Sequence, residues 1–444
     1  MRTNVDAHRV IIIGAGFGGL QVANDLAGTE NIEITLIDRR NHHLFQPLLY
    51  QVAGASLSPA QISWPIRSIF RKRPEVRTLL EEVQGIDKTK RIVSLKDGTH
   101  QRYDTLIIAT GATHAYFGHD EWSEFAPGLK TLDDALQIRQ QVLSVFEKAE
   151  YTQDAQLKKA LQTFVVIGGG PTGVELAGTI AELAHDTLQH DFRNVDPRQS
   201  RIVLIEAGQR LLSVFPEQQS AYTKQALEEL GVEVIFGQPV TSCTQDGVIY
   251  GEHVLSAKTI VWAAGVQASP AAQWLNTDAD RAGRVLVNVD MTVKNSPEIF
   301  VIGDTASITM PDGKMVPGVA PAAKQQGKYV AKVIKARLKG QHTHQPFEYH
   351  HQGNLATIGR SRAVVDMGKF RLQGLLAWWF WKIIHLFFLI GVQSRMSVAM
   401  SWLWNHIFGY RSARIISEKY QREGSGTVLK KPHIKANFDI PSER

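Results

Sequence analysis

The first apolar stretch of the chain runs directly into a cluster of glycines. Residues 9–13 are an arginine followed by a valine and three isoleucines, and residues 14–19 read GAGFGG. Residues 20–27 have the character of a helix, and residues 32–37 are again rich in β-branched side chains. A strand, a glycine-rich turn, a helix and a second strand predict a βαβ unit, and a further strand is predicted at 106–111.

The same order of elements recurs in the middle of the chain. A strand is predicted at 163–167, the turn GGGPTG follows at 168–173, and a helix extends to about Leu183. Further strands at 201–205 and 261–265 repeat the order seen in the first unit. We therefore predict an α/β fold with two Rossmann-like dinucleotide-binding domains, the second inserted into the first.

Two later elements return the chain to the first domain. Residues 299–304 read IFVIGD, a strand that ends in an acidic residue, and a helix is predicted over 321–338. The first domain is accordingly expected at residues 1–125 and 295–340, and the second at 126–294.

The remaining residues, 341–444, are predicted to form a C-terminal domain. Alternation and glycines in 345–374 indicate strands of a small third unit. From Leu375 the composition becomes strongly apolar, and five of the nine tryptophans fall in 375–405. Tryptophan concentrates at the boundary between membrane and water, so these residues are candidates for membrane contact.

The apolar run is slightly short for a bilayer span, which needs about 20 residues. Lys382 and His385 lie within it and share one helix face. We therefore expect amphipathic, membrane-associated helices at about 375–410 that lie in the interface. A buried helix or a dimer interface is the alternative. The tail from Arg411 has eight Lys or Arg against four Asp or Glu, which favours anionic lipid.

Composition excludes several classes of function. The single cysteine, Cys243, excludes a disulfide framework, a CxxC redox pair and a cysteine metal cluster. The 16 histidines show no metal-ligand spacing, so no metal is expected. Lys and Arg number 49 against 43 Asp and Glu, a mild excess that indicates a soluble surface or attraction to a membrane leaflet, and no nucleic-acid partner is expected. Because strand-like residues begin at Arg9, no signal peptide is expected.

The first glycine cluster has the spacing of a dinucleotide site. Gly14 makes the tight turn, Gly16 lets the backbone approach a pyrophosphate, and Gly19 lets the helix pack on the strand. Asp38 ends the next strand and is suited to accept hydrogen bonds from ribose hydroxyls. The other candidate binding residues of this site are Phe17, Gly18, Arg39, Thr110 and Gly111.

The second cluster repeats this spacing with Gly168, Gly170 and Gly173, and Glu206 ends the following strand. A carboxylate at this position bonds a free 2′-hydroxyl and repels a 2′-phosphate, which favours NADH over NADPH. Nearby Arg210 could soften that preference. Ala264 and Gly265 are expected to let the backbone lie close to the same ligand.

Gly303 and Asp304 indicate which of the two dinucleotides the first domain binds. A late strand that ends in an acid brings a carboxylate back to the first domain. There it can bind ribityl hydroxyls, which FAD has and NAD lacks. We therefore expect FAD as the cofactor of the first domain and NADH as the substrate of the second.

Glu175, two residues beyond the second cluster, has two interpretations. Thr172 and Glu175 fit a capping box at the start of a helix. Alternatively, the carboxyl faces the flavin ring and handles protons. Both remain open at this point.

These motifs resemble the type II NADH:quinone oxidoreductases, the non-proton-pumping NADH dehydrogenases of the FAD-dependent pyridine nucleotide-disulphide oxidoreductase superfamily. The resemblance covers nearly the whole chain. It is carried by GAGFGG (14–19), HHLFQPLLYQVA (42–53), LIIATGA (106–112), GGGPTGVELAG (168–178), VWAAGV (261–266), IFVIGD (299–304), AAKQQG (322–327) and the tryptophan-rich C-terminus.

The resemblance implies hydride transfer from NADH to FAD and then electron transfer to a quinone, in a respiratory chain. It also implies monotopic attachment to the cytoplasmic face of the cell membrane, often as a homodimer. Glu175 is implied near the nicotinamide and the flavin ring. Gln325, Gln326 and Gly327 are implied on the quinone-side face of the flavin, and Lys324 is a candidate to stabilise reduced flavin.

One departure concerns the quinone site. Many members carry an Ala-Gln pair shortly before QQG, whereas this chain has Ala320-Pro321, and proline has no side-chain donor. Sulfide:quinone and disulfide reductases share parts of the pattern but need cysteine chemistry that this chain lacks. The alternatives left open are an NADH-dependent flavin reductase with a soluble acceptor or oxygen, and an NADH-sensing flavoprotein of the apoptosis-inducing-factor kind.

Overall fold

The computed structural model describes residues 7–310, 313–341, 345–409, 411 and 413–416. The basic tail predicted to meet lipid lies almost entirely outside these residues. The first segment of the first domain contains β1 (His8–Ile13), α1 (Phe17–Leu26), β2 (Ile32–Asp38), β3 (His42–Leu44), α2 (Leu49–Ala53), α3 (Pro59–Ile62), β4 (Ser63–Pro65), α4 (Ile66–Ile69), β5 (Val76–Leu80), β6 (Val83–Asp87), β7 (Ile92–Leu95), β8 (His100–Arg102) and β9 (Thr105–Ile108).

The link to the second domain and that domain itself follow in the chain. Their elements are β10 (Ala112–His114), α5 (Leu132–Tyr151), α6 (Ala155–Leu161), β11 (Thr163–Ile167), α7 (Pro171–Glu182), β12 (Arg201–Glu206), α8 (Glu217–Glu229), β13 (Val232–Phe236), β14 (Val240–Thr244), β15 (Gly247–Tyr250), β16 (His253–Ser256), β17 (Thr259–Trp262) and β18 (Val266–Ala268).

The chain then returns to the first domain and ends in the C-terminal unit. The return contains α9 (Ala271–Leu275), β19 (Val285–Leu286), β20 (Thr292–Val293), β21 (Ser296–Val301), β22 (Ala306–Ser307) and α10 (Ala320–Leu338). The C-terminal unit contains β23 (Asn354–Ile358), β24 (Arg362–Asp366), β25 (Arg371–Gly374), α11 (Leu375–Phe388) and α12 (Val392–Phe408). The predicted small sheet and the two apolar helices are therefore present.

Each dinucleotide-binding domain is built on a parallel sheet. The first has the strand order β20-β21-β9-β1-β2-β5, and the second has the order β13-β12-β11-β17. In both, the strand before the glycine turn lies between the strand that ends in the acid and the strand that resembles LIIATG. The core strands β9 and β11 are buried along their whole length, which explains their continuous β-branched and aromatic sequence.

The boundary between the domains differs from the predicted one. Strand β20 pairs with β21 as a hairpin at the edge of the first sheet, so Thr292 and Val293 belong to the first domain. Ala271, Leu275 and Val285 also pack in that domain's core. Residues before 295 therefore already pack in the first domain. The short antiparallel pair β10–β18 joins the segment that leaves the first domain to the segment that returns to it.

The C-terminal unit is fixed to the body by a buried ion pair. The guanidinium of Arg411 donates to Glu182 Oε2 at 3.0 Å, and the two side chains are 7% and 6% exposed. The same guanidinium donates to the carbonyl oxygens of Gly54 and Thr179. Burial raises the pKa of Glu182 and lowers the pKa of Arg411, and each charge offsets part of that effect on the other.

Replacing Arg411 with methionine should lower the free energy of unfolding by about 3–5 kcal/mol, because it leaves a carboxylate buried without its partner. Thermal unfolding of the purified protein measures this. The double variant Arg411→Met/Glu182→Gln should recover much of the loss. The matched control is Lys224→Met, which breaks an exposed pair with Glu228 and should cost at most about 1 kcal/mol. Equal effects of the two single changes would contradict the role of the buried pair.

Candidate dinucleotide sites and the glutamate beside the second turn

At the first glycine turn, side chains in place of two of the glycines would clash with neighbouring backbone atoms. Gly14 has φ of 99°, and a Cβ atom there would lie 2.4 Å from the carbonyl oxygen of Ala109. A Cβ atom at Gly19 would lie 1.9 Å from the carbonyl oxygen of Gly14. Gly16 caps α1, and nothing lies within 4 Å of the Cβ position there. The N-terminus of α1 therefore opens onto free space, as a pyrophosphate requires.

Asp38 holds this turn in place. Its carboxylate accepts the backbone N–H of Ala15 at 2.7 Å and that of Arg40 at 2.7 Å. The carboxylate ends β2 beside the turn, where a ribose is expected to bind. Arg39 is exposed, and the Phe17 ring packs edge-on against His43, with ring centroids 5.1 Å apart. The Cβ position of Gly18, at the start of α1, faces Ile302.

The remaining predicted FAD residues lie at the same edge of the sheet. Thr110 and Gly111 follow β9, and Gly303 and Asp304 follow β21, the neighbouring strand. Thr305 Oγ1 donates to the carbonyl oxygen of Gly111 at 3.0 Å, which ties the two strand ends together. The structure therefore brings all of the predicted FAD residues to one edge, and its open turn and carboxylates fit the group.

The residues implied at the quinone-side face of the flavin make contacts within the protein. Gln326 is buried, and its Oε1 accepts the backbone N–H of Gly303 at 2.5 Å. Gln325 exchanges two hydrogen bonds of 2.9 Å with the backbone of His350. A Cβ atom at Gly327 would lie 2.6 Å from the carbonyl oxygen of Gly18. These contacts give the segment a structural role, and a catalytic role for its glutamines stays a prediction.

Lys324 extends from the same helix toward the C-terminal unit. Its Nζ lies 5.1 Å from the centroid of the Phe388 ring, and burial lowers the pKa of this ammonium. Its predicted effect on reduced flavin is not tested by these contacts.

The second glycine turn repeats the first. Gly168 has φ of 109°, and a Cβ atom there would lie 2.6 Å from the carbonyl of Ala263 and 2.7 Å from the Cα of Ala264. A Cβ atom at Gly173 would lie 1.8 Å from the carbonyl oxygen of Gly168. Gly170 caps α7 and faces open space. A second helix N-terminus is therefore open at the carboxyl edge of the second sheet.

Glu206 occupies the position that Asp38 has in the first domain. Its carboxylate accepts the backbone N–H of Gly169 at 2.5 Å and that of Gly208 at 2.6 Å. Arg210 points elsewhere, because its guanidinium donates to the carbonyl oxygens of Ser213 at 2.6 Å and Phe215 at 2.7 Å. The idea that Arg210 softens the effect of Glu206 is therefore not supported by the structure.

Glu175 does not form the capping box that was one of its two interpretations. Helix α7 begins after Gly170, and no side chain caps it. The Glu175 side chain is instead partly exposed, and the backbone N–H of Thr357 donates to its carboxyl at 3.4 Å. Burial raises its pKa to about 8, so this carboxyl can hold a proton at neutral pH.

A chain of hydrogen bonds connects this carboxyl to the last helix. Trp402 Nε1 of α12 donates to Gln51 Oε1 at 2.6 Å, and Gln51 Nε2 donates to the Tyr50 hydroxyl at 2.9 Å. Tyr50 Oη lies 2.7 Å from Thr357 Oγ1, and the Thr357 N–H reaches Glu175. No residue type or local spacing indicated this chain. Tyr50 and Gln51 lie in the stretch 42–53, whose specificity for the family was the available signal.

A small crevice, partly open to solvent, lies beside this chain of hydrogen bonds. Tyr50 and Thr357 line one side, and α11 and α12 line the other. Lys382 lies in it with its Nζ 3.4 Å from the centroid of the Trp378 ring. Burial lowers the pKa of Lys382 to about 8. The site thus contains a partly desolvated cation among aromatic rings.

The polar face of α11 points inward. Lys382 is buried, and His385 stacks on Trp381 with ring centroids 3.8 Å apart; burial lowers its pKa to about 4. The helices are amphipathic as predicted. On α11 the polar side chains face the protein and apolar ones face outward, whereas α12 exposes Gln393, Arg395 and His406 beside its apolar side chains. The exposed apolar side chains of the two helices include Leu376, Trp379, Ile383, Phe387, Val392, Met396, Met400, Leu403, Trp404 and Ile407. Within the part of the chain that the structure describes, no helix combines the length and the apolar character needed to cross a membrane.

Comparison with known proteins places this site in a class. Residues 8–327 match the pyridine nucleotide-disulphide oxidoreductase family, and residues 351–411 match the NDH2 C-terminal domain. The type II NADH:quinone oxidoreductase Ndh of Mycobacterium tuberculosis is 42% identical over 89% of this chain and 87% of its own length. The chain therefore belongs to the type II NADH:quinone oxidoreductase family, as its motifs predicted.

Solved structures agree on the fold. The structure of NDH2 from Plasmodium falciparum in complex with NADH has a TM-score of 0.83 and 22% identity, and covers 90% of this chain and 99% of that one. The sulfide:quinone oxidoreductase of Aquifex aeolicus has a TM-score of 0.68 and 21% identity, and covers 90% and 96%. FAD as cofactor and NADH as substrate follow from membership of the family.

The raised pKa of Glu175 makes stability depend on pH. Its value of about 8 in the folded protein exceeds the ordinary 4.5, so the folded chain holds a proton that the unfolded chain has released. The stability from that proton is full below the unfolded pKa and is lost as the pH rises through the folded pKa. Glu175→Gln should therefore raise the thermal midpoint relative to the parent much more at about pH 9 than at about pH 5.

Thermal unfolding of the flavin-loaded protein across pH measures this difference. Glu252→Gln, which changes an exposed turn residue, is the control and should give the same midpoint difference at every pH. A constant difference for Glu175→Gln would show that its carboxyl does not titrate in this range.

Proposed function

We propose that the chain oxidises NADH on its second domain and delivers two electrons through FAD on its first domain to a quinone that approaches beside α11 and α12. The observation that carries this proposal is the position of Glu175. It lies at the start of the helix that follows the NADH turn, and its hydrogen-bond partner Thr357 lines the crevice of the C-terminal unit. The proposed NADH site and the proposed quinone crevice are thus both adjacent to the protonatable side chain of Glu175 or its partner Thr357.

The protein's own residues position the reactants. Gly16 and Gly170 leave the two helix N-termini open to pyrophosphates, and Asp38 and Glu206 hold the turns and face ribose hydroxyls. FAD, when bound, accepts two electrons from the dihydronicotinamide and gives them up to the quinone. Glu175 can hold a proton one hydrogen bond away from Thr357, which lines the crevice, and reduction of a quinone consumes protons.

The crevice suits a quinone headgroup. Trp378, Trp381 and Trp402 offer flat apolar surfaces, and Lys382 offers N–H donors to a carbonyl oxygen. These side chains supply the acceptor contacts that Pro321 cannot supply. A lipid-soluble acceptor would approach from the exposed apolar side chains of α11 and α12, two helices that also line the crevice.

Attachment to the cytoplasmic face of the membrane is part of the proposal. Residues 375–408 contain no Asp or Glu, and most of their exposed side chains are apolar, although Gln393, Arg395 and His406 are exposed among them. An exposed apolar surface of this size is typical of a membrane or protein contact. The cytoplasmic face is proposed because NADH is a cytoplasmic metabolite, and a homodimer stays a prediction of the resemblance.

Steady-state assays on liposome-bound protein test the function. With NADH, a lipid-soluble quinone should be reduced far faster than oxygen, and ferricyanide should also be reduced. Oxygen or a soluble acceptor alone as the efficient oxidant would support the flavin-reductase alternative. Slow turnover with every acceptor, despite bound FAD and NADH, would support the sensor alternative.

Donor specificity should depend on Glu206. Glu206→Gln should narrow the preference for NADH over NADPH in kcat/KM by roughly tenfold or more, because a like-charge contact with a 2′-phosphate costs several kcal/mol. NADH affinity should also fall somewhat, since one amide oxygen cannot accept both backbone N–H groups as the carboxylate does. The matched control is Glu217→Gln, an exposed acid of the same domain. An unchanged ratio for Glu206→Gln would be evidence against this assignment.

Quinone reduction should depend on Lys382. Lys382→Met should lower kcat/KM for the quinone by roughly 10- to 100-fold, because that is the effect expected from losing one hydrogen bond from a charged donor. Reduction of ferricyanide by NADH in the same variant should stay close to that of the parent, which controls for folding and FAD content. Equal losses with both acceptors would place Lys382 outside the acceptor site.

A further inference from the structure

Phe117 has a conformation and an environment that folding alone does not favour. Its φ is 54°, a left-handed value that is rare for a bulky side chain. Its side chain is 69% exposed, so burial of the ring offsets little of the free-energy cost of the left-handed backbone conformation. Strain of this kind is characteristically retained at ligand-contacting positions.

The ring of Phe117 lies against Gly265 of the second domain. A Cβ atom at Gly265 would lie 2.6 Å from Phe117 Cζ, so the ring extends across that glycine. The adjacent Ala264 abuts Gly168 of the NADH turn. The Phe117 ring also packs against the Trp262 ring, with the two ring centroids 6.1 Å apart. The ring therefore stands at the carboxyl end of β17, where ligands of parallel sheets bind.

The order of strands in the sheet identifies which half of NADH would reach this ring. Glu206 at the end of β12 faces the adenosine ribose, and the glycine turn after β11 faces the pyrophosphate. Strand β17 is the next strand in the same direction. The end of β17 also leads into β18, which pairs with β10 on the way to the first domain. The nicotinamide half therefore lies on the side of β17.

We propose that Phe117 is a binding residue for the nicotinamide end of NADH, an inference that rests on the proposed function. The exposed ring forms one wall of the slot for the nicotinamide and its ribose, and NADH covers it on binding. Gly265 is required to be small because the ring crosses it. The left-handed backbone is the conformation that brings the ring over this position.

Replacing Phe117 with glycine separates stability from binding, because glycine adopts a positive φ without strain. In the flavin-loaded protein, Phe117→Gly should keep or raise the thermal midpoint. It should weaken NAD⁺ binding and raise the KM for NADH by roughly 5- to 30-fold, as expected for loss of an aromatic contact. The kcat at saturating NADH and the KM for the quinone should change by less than about threefold, and Phe117→Tyr should restore NADH binding.

Three further measurements sharpen the test. AMP, which lacks the nicotinamide half, should bind the parent and Phe117→Gly equally. Phe117→Asn, which also tolerates a positive φ, should reproduce the binding defect if the glycine variant folds poorly. Arg91→Gly is the matched control, because Arg91 has φ of 53° and lies exposed in the turn between β6 and β7. It should keep or raise stability without changing NADH binding.

The outcomes distinguish this inference from the proposed function. If the parent binds NADH and reduces quinone but both Phe117 variants bind NAD⁺ as the parent does, the inference is wrong and the function stands. An equal loss of AMP and NAD⁺ binding would overturn the placement at the nicotinamide end. If the parent itself fails to bind NADH, the proposed function fails first.

Discussion

Close contact of backbone with backbone at two glycine turns is the constraint on which the rest of the structure depends. At each turn a Cβ atom on the last glycine would lie within 2 Å of the first glycine's carbonyl oxygen, so only glycine lets the helix start there. A carboxylate from the next strand then accepts two backbone N–H groups and fixes the turn. Both helix N-termini consequently stay open at the carboxyl edges of their sheets, where anionic ligands are favoured.

The parts of the site that depend on local sequence could be predicted from it. Gly14, Gly168, Asp38 and Glu206 lie in strand–turn–helix units whose spacing alone defines the turn, and the predicted strands and helices are present within a few residues. The edge strand β20 was not predicted, because it is short and has no distinctive sequence. Contacts between distant segments could not be predicted, since Glu175 and Thr357 are 182 residues apart and Gln51 and Trp402 are 351 apart.

These distant contacts tie the C-terminal unit to both dinucleotide-binding domains. Its first strand provides the backbone donor to Glu175, and α12 provides the start of the hydrogen-bond chain through Gln51 and Tyr50. Lys382 of α11 faces the body, and the exposed side of α11 is mostly apolar. The same unit therefore contacts the Glu175 carboxyl, forms one wall of the proposed acceptor crevice, and carries the exposed apolar side chains proposed to meet a membrane. The ion pair of Arg411 with Glu182 holds it in that position.

The central claim is that electrons pass from NADH through bound flavin to a quinone. Anaerobic stopped-flow absorbance of the flavin-loaded protein tests it most directly. Addition of NADH should bleach the flavin band in a single fast phase, and a second mixing step with a quinone should restore the band with a rate constant at least as large as the steady-state kcat. Restoration of the band by the quinone more slowly than steady-state turnover, or no faster than by oxygen, would contradict the account.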